Sequence, residues 1–296
     1  MSDTVPGVAE PGFEILEPAA LAAPFVFNSP HSGQAYPEHF LAASRLDALA
    51  LRRSEDAFVD ELFAGVTALG APLMRAHFPR AYLDVNREPY ELDPRMFSEP
   101  LPSYANTRSL RVAGGLGTIA RIVAEAEEIY AEPLDLAEAL RRIEQLYKPY
   151  HAALKDLVGR VRERFGVCVL IDCHSMPSAR RAGEPGVRPD FVLGDRYGAS
   201  CAGRLVEVAQ DTLRGLGYRV SRNKPYAGGY ITERYGAPAM GVHTLQIEVN
   251  RALYMDERRF QRTASFARLA ADLRLMAERL AALPIEELRP YRAAAE

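Results

Sequence analysis

The chain has 296 residues, of which 48% are hydrophobic and 25% are charged, and its formal net charge at pH 7 is −3. These values are typical of a globular protein, and a chain of this length buries roughly 75% of its unfolded surface without disulfides or a structural metal. No basic tract and no block of like charge points to nucleic acid, so a nucleic-acid partner is not expected.

The N-terminal residues and the cysteines favour a cytoplasmic protein. Residues 1–17 lack the basic region of a signal peptide, and the apolar run 19–27 is short and interrupted by Pro24. That run cannot span a membrane, so no membrane association is expected. The three cysteines form no CxxC pair, and an odd number of buried thiols indicates a reducing compartment.

The first half of the chain contains two predicted strands among predicted helices and loops. Residues 1–20 are expected to form an irregular arm, and a Pro- and Gly-containing loop follows the first strand. The second strand leads into Asn86 and Arg87, and Pro149 should kink or break the last helix. The predicted strands are 25–27 and 81–85, the predicted helices are 42–69, 118–132 and 134–165, and 90–117 is a long loop.

The second half begins with the most informative stretch of the chain, a β-branched run at 167–171 that ends in Asp172 and His174. Such a run predicts a strand buried on both faces, and Asp172 leaves the same face as His174, where it can orient the imidazole. Strand 243–249 alternates, with Gln246 and Glu248 on the face opposite its apolar residues. The other predicted strands are 191–195 and 218–220, the predicted helices are 199–214 and 256–283, and 177–190 is an Arg-rich loop.

Strands that alternate with helices predict an α/β fold with a mostly parallel sheet covered on both faces. No Pro- or Ser-rich linker divides the chain, so one domain over residues 21–296 is expected. Polar residues follow several of its strands, and ligands bind at the carboxyl ends of strands in such sheets. His31, His174 and Glu248 are therefore candidates for a mononuclear zinc hydrolase, in which zinc takes three protein ligands and a water.

Each of these residues also has an ordinary structural interpretation. His31 can cap a loop, Glu248 can form a buried ion pair, and Arg87 can pair with Asp84 or Glu88. Asp56 and Asp60 lie four residues apart and can share a solvated helix face. Against these stands the cost of burying an uncompensated carboxylate in an apolar strand, which favours a function for Glu248.

Four motifs together resemble the N-formylglutamate amidohydrolase family. They are SPHSG at 29–33, FPRAYLDVNR at 78–87, DCHS at 172–175 and IEVNR at 247–251. The resemblance covers about residues 25–280. It implies a fold similar to zinc carboxypeptidases, as a single α/β domain with a mixed, mostly parallel sheet of about eight strands.

The resemblance also implies roles for individual residues. His31 and His174 correspond to zinc ligands, Glu248 to the catalytic acid–base, and Asn86 with Arg87 to the pair that grips a substrate carboxylate. Arg251 is a second candidate for that carboxylate. The motif departs from carboxypeptidases at Gln34, where they carry a metal-binding Glu, and Asp56, in a run that resembles a family motif, is the candidate for the third ligand of one Zn²⁺ ion.

The expected activity is hydrolysis of the N-acyl bond of a small acyl-amino acid. The resemblance points to N-formyl-L-glutamate, cleaved to formate and L-glutamate in histidine degradation. A deacylase or carboxypeptidase-like hydrolase of another N-acyl amino acid or peptide is the alternative within the same chemistry. A non-catalytic small-molecule binding protein is the alternative from another class, although binding alone does not require Glu248 beside two histidines.

Overall fold

A seven-stranded sheet organises the computed structural model, which describes residues 11–123, 126–179 and 188–289. Its strands are β1 (Phe13–Leu16), β2 (Phe25–Ser29), β3 (Leu73–Ala76), β4 (Cys168–Met176), β5 (Phe191–Gly194), β6 (Val220–Arg222) and β7 (Val242–Asn250). They lie in the order β1-β3-β2-β4-β7-β5-β6. A separate two-stranded hairpin contains β8 (Met255–Asp256) and β9 (Gln261–Arg262).

The sheet is mixed and mostly parallel. β4 pairs in parallel with β2 and with β7, and β5 pairs in parallel with β6, whereas β5 and β7 are antiparallel. The predicted class, a single α/β domain with such a sheet, is confirmed. The sheet has seven strands where about eight were expected.

Nine α-helices lie in the described part of the chain: α1 (Glu38–Ala43), α2 (Ala48–Arg52), α3 (Val59–Phe63), α4 (Leu110–Ala113), α5 (Leu136–Arg142), α6 (Lys148–Phe165), α7 (Gly203–Gly215), α8 (Tyr230–Tyr235) and α9 (Phe266–Ala281). α3 contacts β2 and β4, α8 contacts β4 and β7, and α9 packs on α3 and α7. Over the described residues, no helix is both long and apolar enough to cross a membrane.

The domain contains two compact units, each built from separated segments of chain. One unit contains residues 30–57 and 75–154 with 11–14, and it includes an aromatic cluster of Phe40, Tyr82 and Tyr130. The other contains residues 15–29, 58–74 and 155–289 and includes the paired strands β2, β4, β7, β5 and β6.

The two longest strands behave as the sequence predicts. β4 and β7 each have nine residues, and every one of them is buried. Gly166 begins this region: it adopts φ +79, and its amide donates to the Arg162 carbonyl at 2.7 Å, which ends α6. A glycine takes this left-handed conformation without strain, so the chain can turn directly from helix into strand.

The predicted helix over 42–69 is wrong. The segment is divided into α1, α2, α3 and a 3₁₀ turn at Ala64–Leu69. Its middle is held by tertiary contacts, since the amide of Asp56 donates to the carbonyl of His31 at 3.0 Å. The fully buried Glu55 accepts hydrogen bonds from Tyr36 and Arg52. These bonds replace the i to i−4 pattern that a continuous helix would need.

The predicted strand over 81–85 is also wrong. The strand in this part of the chain is β3, which ends at Ala76. The carbonyl of Pro79 accepts from the amides of Tyr82 and Leu83 at 2.9 and 3.2 Å, which forms a turn instead. Asn86 and Arg87 therefore follow a turn and not a strand.

Three side chains on or beside α5 and α6 fix the backbone of this turn. Arg142 donates to the carbonyl of Tyr82 at 3.0 Å, and Tyr147 donates to that of Arg87 at 2.6 Å. A ring nitrogen of His151, Nε2, lies 2.8 Å from the carbonyl of Val85. Buried backbone carbonyls need hydrogen-bond partners, and here side chains provide what a strand ladder would otherwise supply.

Two further helix predictions meet different outcomes. The predicted helix 134–165 forms as α5 and α6 joined by a π-helical turn at Ile143–Tyr147, and α6 continues through Pro149, where a kink or break was expected. Helix 118–132 is wrong over its described residues, where short bridges pair Leu116 with Ala120 and Ile122 with Glu128. There the amide and carbonyl of Thr118 bond to Glu91 and Asp84 and not to neighbouring turns.

The expected irregular arm over 1–20 requires correction where β1 forms. Phe13 packs edge-on against Tyr150, with ring centroids 5.8 Å apart, so this segment has an apolar contact that stabilises extended chain. Residues 1–10 lie outside the described residues, as do 180–187 of the predicted loop 177–190. The domain limits at residues 21 and 296 stay a prediction.

We expect Arg142→Met to destabilise the fold. Arg142 is 1% exposed, pairs with Glu138 at 2.7 Å, and stacks on the ring of Tyr82. Removing one partner of a buried ion pair costs about 3–5 kcal/mol, and here Glu138, which is 12% exposed, would lose its cation. Urea denaturation measures the change. The matched control Lys148→Met breaks an exposed pair with Glu144 and should cost under about 1 kcal/mol; equal losses would contradict the prediction.

Candidate metal centre

Three predicted ligands come together in a buried group. One ligand atom each from His31, Asp56 and His174 lies within 4.8 Å of the others, and all three residues are buried. This group is the combination predicted from the sequence. Gln34, which stands where carboxypeptidases carry Glu, is exposed, whereas the three members of the group are buried.

The His31 loop is shaped by close backbone packing. His31 follows β2, and a Cβ atom at Gly33 would lie 2.2 Å from the carbonyl oxygen of Phe78, a distance that no larger residue can adopt. The amide of Ala35 also donates to the carbonyl of His77 at 2.9 Å. Glycine at this position therefore allows the loop to dock and holds the backbone of His31 in place.

Hydrogen bonds at its backbone amide and at its backbone carbonyl fix Asp56 to the His31 loop. Its amide donates to the His31 carbonyl, and its carbonyl accepts from the Ser32 hydroxyl at 3.0 Å. Its carboxylate oxygen Oδ2 lies 3.3 Å from Nδ1 of His31. Asp56 lies in the turn between α2 and α3, whereas Asp60 lies in the first turn of α3 and is outside the group.

Asp84 holds the other nitrogen of His31. Nε2 of His31 lies 2.8 Å from Oδ1 of Asp84, so the Nδ1 side of the ring faces Asp56. Asp84 also pairs with Arg80 at 2.9 Å and accepts from the amide of Asn86 at 2.8 Å. Burial alone would raise the pKa of Asp84, but Arg80, Arg87 and His31 hold that pKa well below its usual range.

His174 is held in the same way by Asp172. Nε2 of His174 lies 2.8 Å from Oδ2 of Asp172, and Asn28 donates to Oδ1 at 2.9 Å. Asn28 and Asp172 are register partners on β2 and β4. A carboxylate on the outer nitrogen fixes the tautomer and ring direction of a histidine, as in metal sites generally. The other nitrogen, Nδ1, is then the one that can bind a metal.

The donor set fits a metal ion. Two imidazoles, each oriented by its own buried carboxylate, and one carboxylate oxygen make a mixed nitrogen and oxygen set that suits zinc with an open position. The neighbouring thiol of Cys173 is outside this group. Burial raises its pKa well above the usual range, which disfavours the thiolate that a metal would require.

Glu248 lies beside His174 on the adjacent strand. β4 and β7 pair in parallel with His174 opposite Glu248 and Asp172 opposite Gln246, so these four side chains leave the same face of the sheet. Glu248 is 7% exposed, and its Oε1 accepts a hydrogen bond from the side-chain amide nitrogen of Gln246 at 2.9 Å. The role of Glu248 stays a prediction.

Arg87 pairs with Asp84, as its ordinary structural interpretation allowed. Its Nη2 lies 3.4 Å from Asp84, its Nε donates to the carbonyl of Leu116, and its Nη1 donates to that of Asn86. Burial lowers its pKa to about 10, so it remains a cation at neutral pH. Each terminal nitrogen carries two N–H groups, so both have donors beyond these contacts.

Arg251 is buried and follows β7, where its Nε donates to the hydroxyl of Ser175 at 3.0 Å.

The supporting roles of Asp84, Asn28 and Gln246 were not predicted from the sequence. For Gln246 a signal existed, because the alternation of β7 places it on the face of Glu248. For Asp84 and Asn28 nothing in their local sequence indicates the histidine systems that they support.

The other histidines bond elsewhere. Nε2 of His39 lies 3.1 Å from the Tyr82 hydroxyl, and Nε2 of His243 lies 2.7 Å from the carbonyl of Leu288. With the His151 contact already described, these hydrogen bonds join histidines to partners outside the metal group, as their lack of ligand spacing predicted.

Comparison with known proteins gives a consistent result. The family model described as N-formylglutamate amidohydrolase matches residues 23–255. An N-formylglutamate deformylase of Pseudomonas putida is 30% identical over 237 residues, which is 79% of this chain and 82% of the relative. One of Pseudomonas aeruginosa is 30% identical over 240 residues, 79% of this chain and 83% of the relative.

Two solved structures are also similar to this chain. The crystal structure of an N-formylglutamate amidohydrolase from Ralstonia eutropha aligns with a TM-score of 0.85 at 38% identity, covering 91% of this chain and 97% of that one. A protein from Agrobacterium tumefaciens aligns with a TM-score of 0.65 at 20% identity, covering 91% and 94%, and shows a shared fold alone.

Replacing any of the three candidate ligands should reduce the amount of bound zinc. His31→Ala, His174→Ala and Asp56→Ala should each lower the bound zinc sharply, because at most two of the three protein ligands remain. Elemental analysis of purified protein measures this, and melting temperature checks the fold. His39→Ala is the matched control, since His39 lies outside the group and is 38% exposed. Full zinc occupancy in the three variants would contradict the site.

Asp172→Asn should weaken zinc binding about ten- to hundred-fold, the usual effect of removing a partner that orients a ligating histidine. The substitution preserves size but removes the carboxylate that holds Nε2 of His174. Competition with a chelator measures the affinity. Asp190→Asn, which breaks a pair with the exposed Arg219, should leave it unchanged. Equal affinity in all three proteins would exclude Asp172 from this role.

Proposed function

Because the chain belongs to the N-formylglutamate amidohydrolase family, we propose that it is a zinc-dependent amidohydrolase that cleaves N-formyl-L-glutamate to formate and L-glutamate. The observation that carries the proposal is the buried group of His31, Asp56 and His174, with Glu248 in register beside His174. The names of the relatives, N-formylglutamate deformylases, support the choice of substrate.

The proposal assigns His31, Asp56 and His174 to one Zn²⁺ ion. A bound zinc supplies a Lewis acid for the acyl oxygen and lowers the pKa of a coordinated water to about 7. Asp84 and Asp172 keep the two imidazoles in one tautomer and one direction, so that the ligand nitrogens are arranged before any metal binds.

Glu248 is assigned as the general base. It takes a proton from the attacking water and delivers it to the departing amine, which leaves as L-glutamate with the carbon–nitrogen bond broken. Glu248 is buried beside His174, and its Oε1 accepts a hydrogen bond from the side-chain amide of Gln246.

Asn86 and Arg87, with Arg251, are assigned to the substrate carboxylates. N-formyl-L-glutamate carries two of them, and a planar guanidinium can grip a carboxylate with two parallel hydrogen bonds. The existing bonds of Arg87 to the carbonyls of Leu116 and Asn86 fix the plane of its guanidinium. A fixed guanidinium loses less freedom on binding than a mobile one, which favours affinity.

A substrate panel tests the function. The zinc-loaded protein should show its highest kcat/KM on N-formyl-L-glutamate among formyl, acetyl and longer acyl derivatives of several amino acids. Glu248→Gln should retain zinc and lose kcat by about 10²–10⁴-fold, the scale of general acid–base catalysis. A higher kcat/KM on another acyl group would replace the substrate. Bound zinc without turnover on any compound would favour the binding-protein alternative.

Arg87→Lys should lower kcat/KM for acidic N-formyl substrates about ten- to hundred-fold, which corresponds to the loss of a charge-assisted contact of about 1.5–3 kcal/mol. Formyl-amino acid amides that lack the recognised carboxylate should show a much smaller loss. The matched control Arg80→Lys alters another cation that pairs with Asp84 and should not discriminate between the two substrate types. Equal losses on acidic and amidated substrates in Arg87→Lys would assign Arg87 to the fold or to the oxyanion.

A further inference from the structure

Gln246 is buried in the middle of β7, two residues before Glu248 and on the same face of the sheet. We propose that Gln246 is the positioning residue of Glu248, a role that rests on the proposed function of Glu248 as the base. The side chain of Gln246 connects the carboxylate to the backbone just before α8, and so sets the direction in which the carboxylate points.

The orientation of the Gln246 amide follows from its neighbours. The backbone amide of Gly229 donates to Oε1 of Gln246 at 2.7 Å, and the hydroxyl of Thr232 lies 3.4 Å from the same atom. A backbone N–H can only donate, so the carbonyl end of the side chain must face Gly229. Nε2 then faces Glu248 and donates to its Oε1 at 2.9 Å.

Two glycines bring the Gly229 amide within reach of Gln246. A Cβ atom at Gly194, the last residue of β5, would lie 2.7 Å from the backbone nitrogen of Gly228. Gly228 itself adopts φ +114, and a Cβ there would lie 2.8 Å from a methyl carbon of Thr232. The loop therefore lies directly against β5, which presents the next amide, that of Gly229, to β7.

The hydrogen bond from Gln246 bears directly on catalysis. A carboxylate on a strand can rotate about its terminal bond, and that torsion is broad. A hydrogen bond from Gln246 to Oε1 restricts the rotation and thereby fixes the direction of the second oxygen. Proton transfer requires hydrogen-bond distance and alignment, and a displacement of about 1 Å can cost about 10²-fold in rate.

Two substitutions of Gln246 together test the hydrogen bond that it donates to Glu248. Gln246→Met keeps the length of the side chain and removes both polar atoms. Gln246→Glu keeps an acceptor for the Gly229 amide but replaces the donor that faces Glu248 with a like charge. We expect each to lower kcat about ten- to hundred-fold with KM changed less than about threefold, while the bound zinc stays at the wild-type level. Gln246→Glu should lose at least as much kcat as Gln246→Met.

A double-mutant cycle separates positioning from a general structural role. In the Glu248→Gln background, Gln246→Met should change kcat by less than about twofold, because the group that it positions is no longer a base. Thr244→Val is the matched control: Thr244 is buried on the same strand two positions earlier, and this substitution should leave kcat unchanged.

The outcomes distinguish the two proposals. Equal fold losses from Gln246→Met in both backgrounds, or unchanged kcat in both Gln246 variants, overturn the positioning role alone. Wild-type kcat in Glu248→Gln overturns the assignment of the base, and the positioning role with it. A loss confined to the background that retains Glu248, with zinc and melting temperature maintained, supports both.

Discussion

Two buried carboxylates, Asp84 and Asp172, each hold the outer nitrogen of a histidine, and the candidate site depends on these two pairs. An ionised carboxylate inside a protein is costly unless it is compensated. Asp84 is compensated by Arg80, Arg87 and the amide of Asn86, and Asp172 accepts from Asn28. With both carboxylates compensated in this way, the imidazoles can present their remaining nitrogens in one fixed direction.

The segments that carry His31, Asp56 and Asp84 are irregular, yet polar contacts support them closely. The turn with Asp84 and Arg87 has no strand ladder, and side chains of Arg142 and Tyr147 bind its carbonyls instead. The His31 loop is supported by the close approach of Gly33 to the backbone of Phe78. Such a site is preorganised at the cost of several buried polar groups, each of which is sensitive to substitution.

Membership of the family and the chemistry of the site rest on different observations. The match over residues 23–255 identifies the family, whereas the similarity to the Agrobacterium tumefaciens protein at 20% identity extends only to the fold. Folds of this class host many activities, so function must be argued from side chains. The arrangement of His31, Asp56 and His174, with Glu248 in register beside His174, provides that argument.

The class of the fold, the strands β4 and β7, and the group of His31, Asp56 and His174 were all predictable from the chain alone. Long buried apolar runs and strand-end polar residues are local signals, and the resemblance to the family motifs supplied His31, Asp56 and His174 as candidate ligands. The three-dimensional arrangement was needed to show that 42–69 is broken, that 81–85 is a turn, and that Asp84 and Gln246 support His31 and Glu248. These features depend on hydrogen bonds between distant segments, such as that from Asp56 to His31, which compete with local propensity and leave no periodic pattern in the chain.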